Sequence, residues 1–477
     1  MIFAIDALPP DVLISNIDRF PNMKQMIQKG AFADYDAYAY GYGSRDNWIS
    51  LYTGLTPQEH GTINNKYRKT GRCPYLTDYK NLDTFWKVMN SAGLSVGMWK
   101  GLATTPPEDI HGFMISGEIC YEQNCSNKKC FFDYCNEMPI VTEKDKYLLK
   151  SIEKDIPQFV FPKPCEYFGC SWQDLKSKKV NIEDILTDDY FINGLDYFEK
   201  NLNSYEKNIL NIHRNKEVDV CFFYTQFIDF ICHFQMHDLE KKVVIKALEL
   251  VDSFIGRINN TINPENIIVL SDHGIKGWYE NFVGAPEDIQ QEMFGLRDEA
   301  IWLKNGSIVI NARIGGFLSA MHDIKGTFIA CGEKIKHCQI SDMRTVDFYP
   351  TLLEWLDIKV PKGRSGFVLD IFKNKDICNK DRLIPQEVKK INIGILQNID
   401  IPTFNKIVNE VFLQNRFATI TILGKGRYID SFLSNSRVDE FIDIEDIKCD
   451  IKYFNKFDKV IIPYQDNLNN KLDYYEL

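Results

Sequence analysis

The chain has no apolar run long enough to cross a bilayer, and its first residues, MIFAID, lack the basic segment and apolar core of a signal peptide. It also lacks an excess of positive charge: 56 Lys and Arg stand against 66 Asp and Glu, a formal net charge of −10. We therefore expect no nucleic-acid polymer and no anionic membrane as partner. A cytoplasmic protein is the simplest expectation, although a chain that had lost its leader would look the same.

Internal repeats, low-complexity tracts and the paired knuckle spacing of common zinc sites are absent as well. The 13 cysteines are an odd number and lie mostly within apolar runs, which favours buried free thiols in a reducing compartment. One group of cysteines recurs at every fifth residue: Cys120, Cys125, Cys130 and Cys135. Free thiols, local disulfides and a structural metal are all compatible with this spacing.

Strand signals alternate with helix signals along most of the 477 residues. The runs MIFAI, VDVCFFYT and NIIVLS are almost wholly apolar, which is typical of strands buried on both faces. The segments NMKQMIQKG and DLEKKVVIKALELVDSFIGRINN have the periodicity of amphipathic helices. The pattern predicts an α/β fold with a mostly parallel central sheet and helices on both faces.

The alternation is interrupted between about Gly117 and Asn215, where aromatic residues, prolines and clustered cysteines occur. We interpret this stretch as an insertion that caps the sheet and shapes substrate access. Alternation restarts after a polar segment near Lys380. We therefore predict a main domain over 1–380 with a cap insertion at about 117–215, and a small Rossmann-like α/β domain over 381–477. The small domain is a candidate for docking a partner or another subunit, because its fold alone assigns no activity.

Acidic and imidazole side chains follow or flank several predicted strands. They are Asp6, Asp229, Asp272, His273 and His322. Ligands of open α/β sheets bind beyond the carboxyl ends of the strands, so we expect these side chains to converge. Asp229 and His233 are one helical turn apart and can hold one ion. Carboxylate with imidazole suits zinc or manganese, whereas each motif alone also fits a capping Asp and a buried His.

Ser44 follows a glycine-rich turn and opens the helical run RDNWISLYT, which Gly54 closes. A serine at this position is usually an N-cap. The start of a helix is also where an anion binds, because its N–H groups and dipole favour negative charge. The segment by itself leaves both roles open, a cap or a nucleophile beside a bound anion.

An ordered series of motifs resembles the alkaline phosphatase superfamily and, within it, the type I phosphodiesterase/nucleotide pyrophosphatase branch. The series is Asp6 after the first strand, then SRDNWISLYTGLTPQEHG, TPPEDIHGFMISG, DFICH, SDHG, HDIKGTFIACG and VDFYPTLLEWLDIKVP. It covers most of the chain from Met1 to about Phe372. The resemblance implies an alkaline-phosphatase-like fold and a metal-dependent hydrolase acting on a phosphodiester or phosphoanhydride.

The resemblance also implies two divalent cations, with zinc expected and manganese as the alternative. The implied ligands of one cation are Asp229, His233 and His322, and those of the other are Asp6, Asp272 and His273. Ser44 is implied to contact the second cation, to attack phosphorus and to form a phosphoseryl intermediate. Two cations would clamp the attacking and leaving oxygens of such a displacement.

Two further residues are candidates for binding the phosphate. The resemblance implies that Asn65, rather than its neighbour Asn64, donates to a non-bridging oxygen, and Arg45 lies next to the nucleophile. We expect the backbone N–H groups of Arg45 and Asp46 to face the same phosphate. The substrate is then a small phosphate compound: a nucleotide, a nucleotide-sugar or a lipid head group.

Two residues depart from the family pattern. Ser44 stands where the branch usually has threonine, and Asp46 adds a negative charge that weakens anion binding unless it is turned away. The positions after Ser44 also lack the proline and arginine of a sulfatase, which disfavours that activity. A phosphomonoesterase or phosphotransferase of the same superfamily and a non-catalytic metal-containing binding protein stay open as alternatives.

Overall fold

The computed structural model describes residues 1–37, 43–63, 65–67, 69, 73–79, 81–116, 140–152, 169–186, 188–277, 300–311, 317–373, 392–396, 419–424, 440–443, 459–465 and 472–476. Several positions with predicted roles lie outside these residues, namely Asn64, Cys120, Cys125, Cys130, Cys135 and the boundary near Lys380. Their roles stay predictions. Within the described ranges, no helix combines the length and the apolar character that a membrane span requires.

The strands, in chain order, are β1 (Ile2–Ile5), β2 (Ala31–Asp36), β3 (Thr62–Ile63), β4 (Lys66–Tyr67), β5 (Val96–Trp99), β6 (Gly112–Ser116), β7 (Ile140–Val141), β8 (Val220–Thr225), β9 (Asn266–Leu270), β10 (Gly274–Gly277), β11 (Ala300–Trp302), β12 (Ile308–Asn311), β13 (Phe317–Leu318), β14 (Ala320–Asp323), β15 (Lys325–Gly332), β16 (Cys338–Ile340), β17 (Asn392–Leu396), β18 (Thr419–Gly424), β19 (Glu440–Asp443), β20 (Lys459–Gln465) and β21 (Leu472–Glu476).

The α-helices are α1 (Pro10–Ser15), α2 (Pro21–Lys29), α3 (Ser44–Thr53), α4 (Pro57–His60), α5 (Leu76–Tyr79), α6 (Phe85–Ser91), α7 (Trp172–Lys176), α8 (Ile182–Ile185), α9 (Asp188–Asn215), α10 (Phe227–Gln235), α11 (Lys242–Ile262) and α12 (Phe348–Trp355). Short 3₁₀ helices cover Ile17–Arg19, Glu143–Ser151 and Thr345–Asp347.

The central sheet has nine strands in the order β16-β2-β15-β9-β1-β8-β5-β6-β7. All of them run in one direction except β15 and β7, which are antiparallel to their neighbours. Side chains of β1 alternate between two buried cores, with Phe3 and Ile5 in one and Ile2 and Ala4 in the other. Helices α2, α9 and α11 cover the first core, and α3, α6 and α12 cover the second. The predicted α/β fold is therefore confirmed.

The topology brings three strand ends together at one edge of the sheet. β1 lies between β8 and β9 and is parallel to both. Asp6 follows β1, and Asp272 lies two residues after β9. The chain leaving β8 enters α10, which carries Asp229. A small antiparallel pair, β10 with β14, adds His322 opposite Ile275 at the same edge.

Parts of the predicted insertion pack against the main fold. Strand β7 extends the central sheet at its edge. Helix α9 packs on the first core, where Leu195, Phe198 and Leu202 are buried. Residues 117–139, 153–168 and 187 of the predicted cap at about 117–215 lie outside the described residues, and the cap role stays a prediction.

The C-terminal strands form a separate five-stranded sheet in the order β19-β18-β17-β20-β21. Strands β17 to β20 are parallel, and β21 is antiparallel to β20. Parallel pairing of short apolar strands agrees with the α/β pattern of this part of the sequence. The division into two domains and the docking role stay predictions.

Candidate active site

Asp6 is completely buried where β1 ends. Its Oδ2 accepts hydrogen bonds from the Tyr224 hydroxyl at 2.6 Å and from Trp48 Nε1 at 3.2 Å. Its Oδ1 has no hydrogen-bond partner among the described residues. Burial, and then the negative charge of Asp229, raise the pKa of Asp6 to about 8. The carboxylate is thus held through Oδ2, and Oδ1 is a buried acceptor without a hydrogen-bond donor among the described residues.

Asp272 and His273 follow β9 and are also fully buried. The backbone N–H of Ala7 donates to Asp272 Oδ1 at 3.2 Å, and Oδ2 lies 3.2 Å from His273 Nε2. His273 Nδ1 lies 2.8 Å from the Gly274 carbonyl, which can only accept, so Nδ1 carries the proton. Burial, and then the charge of His322, lower the pKa of His273 well below its usual value. The neutral ring therefore directs its Nε2 lone pair at the carboxylates.

Asp229, His233 and His322 form a tight triangle. Asp229 Oδ1 lies 3.3 Å from His233 Nε2 and 3.4 Å from His322 Nε2, and the two Nε2 atoms are 3.2 Å apart. His233 Nδ1 faces the Ala320 carbonyl at 3.1 Å, which leaves its Nε2 for the triangle. Burial opposes ionisation of Asp229, but the charges of His233 and His322 outweigh it and lower the pKa of this carboxyl.

The donor atoms fit divalent cations. Asp6 Oδ1, Asp229 Oδ1 and Asp272 Oδ2 are buried without a hydrogen-bond partner among the described residues, a costly state for carboxylates. Tetrahedral zinc with bonds of about 2.05 Å places its ligand atoms about 3.3 Å apart. The edges of the triangle, 3.2 to 3.4 Å, match that spacing. In a second group, Asp6, Asp272 and His273 have donor atoms within 4.8 Å of one another.

The two groups of donors are adjacent. The rings of His273 and His322 stack with centroids 3.8 Å apart. Donor atoms of Asp229, His273 and His322 also lie within 4.8 Å of one another. Asp229 Oδ1 also lies 3.3 Å from His233 Nε2, so the assignment of each ligand to one of two cations stays a prediction.

Ser44 is the first residue of α3 and is only 7 % exposed. Its Oγ lies 3.0 Å from His273 Nε2 and makes no capping hydrogen bond, because Gly43 occupies the N-cap position. The helix ends at Gly54, whose φ of 66° is readily adopted by glycine. Of the two roles left open by the sequence, the geometry favours a hydroxyl that belongs to the acid and imidazole cluster.

The expectation that the N–H groups of Arg45 and Asp46 face a phosphate is wrong. Arg45 N–H donates to Asn65 Oδ1 at 2.9 Å, and Asp46 N–H donates to the Gly43 carbonyl at 3.1 Å. Asn65 itself lies beside the turn that precedes α3, with a φ of 59° that asparagine tolerates. Because Oδ1 accepts from Arg45, Nδ2 is the donor end of this amide.

Two buried residues of the site were missed from the sequence. Tyr224 is the penultimate residue of β8 and Trp48 lies on α3, and both donate to Asp6. Trp48 is four residues after Ser44, so it shares a helical face with the nucleophile candidate, which is a detectable signal. Tyr224 lies within an apolar run, CFFYT, where nothing distinguishes a ligand-orienting hydroxyl from core packing.

Similarity to known proteins identifies the family of this chain. A family model described as type I phosphodiesterase / nucleotide pyrophosphatase matches residues 1–313. Among curated proteins, none is significantly similar in sequence to this chain.

Solved structures similar to the chain include an inactive variant of murine ectonucleotide pyrophosphatase / phosphodiesterase 5 in complex with AMP. It is 12 % identical with a TM-score of 0.44, and the match covers 76 % of this chain and 96 % of that one. The human ectonucleotide pyrophosphatase / phosphodiesterase 5 is also 12 % identical, with a TM-score of 0.42 and coverage of 76 % and 95 %. From the family match over 1–313, we conclude that the chain belongs to the type I phosphodiesterase / nucleotide pyrophosphatase family of hydrolases acting on phosphoric esters.

Proposed function

We propose that the protein hydrolyses a phosphodiester or phosphoanhydride, with Ser44 as the nucleophile at a site for two divalent cations. The observation that carries the proposal is the 3.0 Å distance from Ser44 Oγ to His273 Nε2, inside a cluster of buried, uncompensated carboxylate oxygens. Asp229, His233 and His322 would hold one cation. Asp6, Asp272 and His273 would hold the other. Zinc is the expected ion and manganese the alternative.

The cations, when bound, supply positive charge that lowers the pKa of coordinated oxygens and stabilises charge on phosphoryl oxygens. The chain supplies the orientation. Trp48 and Tyr224 hold the Asp6 carboxylate through one oxygen, so that the other points into the cluster. The Gly274 and Ala320 carbonyls fix the tautomers of His273 and His233 in the same way.

The reaction on Ser44 proceeds in two displacements. In the first, a bond forms between Ser44 Oγ and phosphorus while the bond from phosphorus to the leaving oxygen breaks, and the hydroxyl proton of Ser44 passes through solvent to the leaving oxygen. In the second, a water molecule attacks phosphorus, the Ser44–phosphorus bond breaks, and the hydroxyl of Ser44 is restored. Both steps carry negative charge on the phosphoryl oxygens, which the Nδ2 donor of Asn65 stabilises.

A diester or anhydride suits this site better than a monoester. Asn65 contributes a neutral amide donor, which matches one negative charge on the phosphoryl group. Arg45, adjacent to Ser44 in sequence, is the proposed additional contact to the substrate. The substrate class is a small phosphate compound such as a nucleotide, a nucleotide-sugar or a lipid head group.

The proposal is tested by assaying the zinc-loaded protein on bis-p-nitrophenyl phosphate, p-nitrophenyl phosphate and p-nitrophenyl sulfate. Faster turnover of the diester is expected, and preference for the monoester would support the phosphomonoesterase alternative instead. Ser44→Ala is expected to abolish turnover and to retain the metal. Ser50→Ala is the matched control, because Ser50 lies on the same helix with its hydroxyl 3.0 Å from His60 Nε2.

Each remaining outcome contradicts part of the proposal. Full activity of Ser44→Ala would exclude Ser44 as the nucleophile. A protein that binds zinc and hydrolyses none of the three esters would favour a non-catalytic metal-binding protein. The proposed compartment is the cytoplasm, which is supported by the free thiols Cys170, Cys221, Cys232, Cys331 and Cys338.

A further inference from the structure

The Asp46 carboxylate lies in the first turn of α3 and is completely buried. One of its oxygens, Oδ2, accepts from the Gly43 N–H at 2.7 Å, and Oδ1 accepts from the Asn65 N–H at 3.0 Å. These two donors belong to segments 22 residues apart in sequence, the turn before α3 and the turn between β3 and β4. A single carboxylate therefore joins the loop of the nucleophile to the loop of the phosphate-binding amide.

A second connection runs beside the first. Arg45 N–H donates to the side-chain oxygen of Asn65 at 2.9 Å. Asn65 also lies directly over Gly43, since an added Cβ on Gly43 would lie 1.9 Å from Asn65 Nδ2. Together these contacts set both the position and the amide orientation of Asn65 relative to Ser44.

The charge on Asp46 is explained by this geometry. Two backbone N–H groups suit a carboxylate, because hydrogen bonds to a carboxylate are stronger than those between neutral groups. An amide cannot replace it without loss, because one end of an Asn side chain is itself a donor and would face an N–H group. Asp46 is thus suited to bonding two donors at once.

We propose that Asp46 is a positioning residue that fixes the distance between Ser44 Oγ and Asn65 Nδ2, and that it acts on catalysis through Asn65. The inference rests on the proposed function, since it assigns Asn65 to the phosphoryl oxygen. It also gives this acid a role, because both of its carboxylate oxygens accept backbone N–H groups of the two turns.

A double-mutant cycle tests this inference, with Asp46→Asn, Asn65→Ala and their combination measured in the zinc-loaded protein. Asp46→Asn is expected to lower kcat/KM for the diester about 10- to 100-fold, as expected from misplacing a catalytic group by about 1 Å. Added to Asn65→Ala, the same change is expected to cost less than about threefold, because the group that it positions is already gone. Affinity for orthovanadate, measured by calorimetry, is expected to follow the same non-additive pattern.

Asp347→Asn is the matched control. Asp347 is also a buried carboxylate that accepts two backbone N–H groups from separate segments, Arg344 at 2.8 Å and Phe367 at 2.7 Å. This variant is expected to lower the melting temperature and to combine additively with Asn65→Ala, with kcat/KM nearly unchanged. If Asp46→Asn does not fold, Asp46→Ser, whose hydroxyl can accept one of the two bonds, replaces it in the cycle.

The outcomes separate this inference from the proposed function. Additive losses in kcat/KM and in vanadate affinity would show a purely structural role for Asp46 and overturn the inference, while the dependence on Ser44 would still hold. Full activity of Ser44→Ala would overturn the proposed nucleophile, and the cycle would then still decide whether Asp46 acts through Asn65. A wild-type protein that neither hydrolyses the diester nor binds vanadate would overturn both.

Discussion

Removal of divalent cations by a chelator is expected to destabilise the protein strongly. Three buried carboxylate oxygens, on Asp6, Asp229 and Asp272, then have no hydrogen-bond partner within the described residues. Each unsatisfied polar atom costs about 1–3 kcal/mol, so the loss is about 3–9 kcal/mol. The linkage between metal binding and folding gives a similar figure. Two sites, each at a free zinc concentration of about 1,000 times Kd, contribute about 8 kcal/mol to the free energy of unfolding. At about 2 °C per kcal/mol, the melting temperature should fall by about 6–18 °C.

The assay is thermal unfolding followed by circular dichroism, with and without chelator, and again after zinc is restored. Asp229→Asn removes a ligand and is expected to lose about half of the zinc-dependent shift if the two sites contribute equally. Asp347 is a buried carboxylate that pairs with Arg344 and lies outside the cluster. Asp347→Asn should therefore lower the melting temperature but keep the full zinc-dependent shift. A shift below about 2 °C in the wild-type protein would refute the reasoning, because it corresponds to only about 1 kcal/mol.

Two further predictions concern groups that orient the site. Tyr224→Phe removes the 2.6 Å hydrogen bond to Asp6 and is expected to weaken zinc binding about 10- to 100-fold by calorimetry, as is usual for groups behind a metal ligand. Tyr349→Phe, which removes a 2.6 Å bond to the Asp83 carbonyl, should leave zinc affinity unchanged, and equal losses would contradict an orienting role. Gly43→Ala places a methyl group 1.9 Å from Asn65 Nδ2 and therefore displaces this amide. Because a misplaced hydrogen-bond donor stabilises the transition state less, kcat/KM should fall at least tenfold. In the Asn65→Ala background, Gly43→Ala should have little further effect on kcat/KM. An equal loss in that background would show that Gly43→Ala acts on another part of the turn and not on Asn65.

The elements of the central sheet were predictable because their signals are local. The run MIFAI is a strand in the structure, and so are most of VDVCFFYT and NIIVLS, since almost wholly apolar segments of this length are stable only inside a sheet. The helix after Ser44 was equally readable, from the glycine-rich turn before it and Gly54 after it. Their order in the sheet was not readable, because strand pairing depends on contacts between distant residues.

The convergence of Asp6, Asp229, Asp272, His273 and His322 followed from one topological rule about the carboxyl ends of parallel strands. The expectation for the Arg45 and Asp46 N–H groups failed because a local rule about helix starts was applied to groups that already had acceptors. Asn65 and Gly43 supply those acceptors, and neither contact has a signal in the sequence.

The sequence by itself determined which residues are able to bind a cation or attack phosphorus, because charge, nucleophilicity and local periodicity belong to the residues and their spacing. Only the tertiary structure decided which oxygen of each carboxylate stays uncompensated, which nitrogen of each histidine faces the cluster, and where the Asp46 charge points. These properties depend on hydrogen bonds between segments up to 265 residues apart, such as Ala7 with Asp272. Such partners become neighbours only when the chain folds, so no local pattern encodes them.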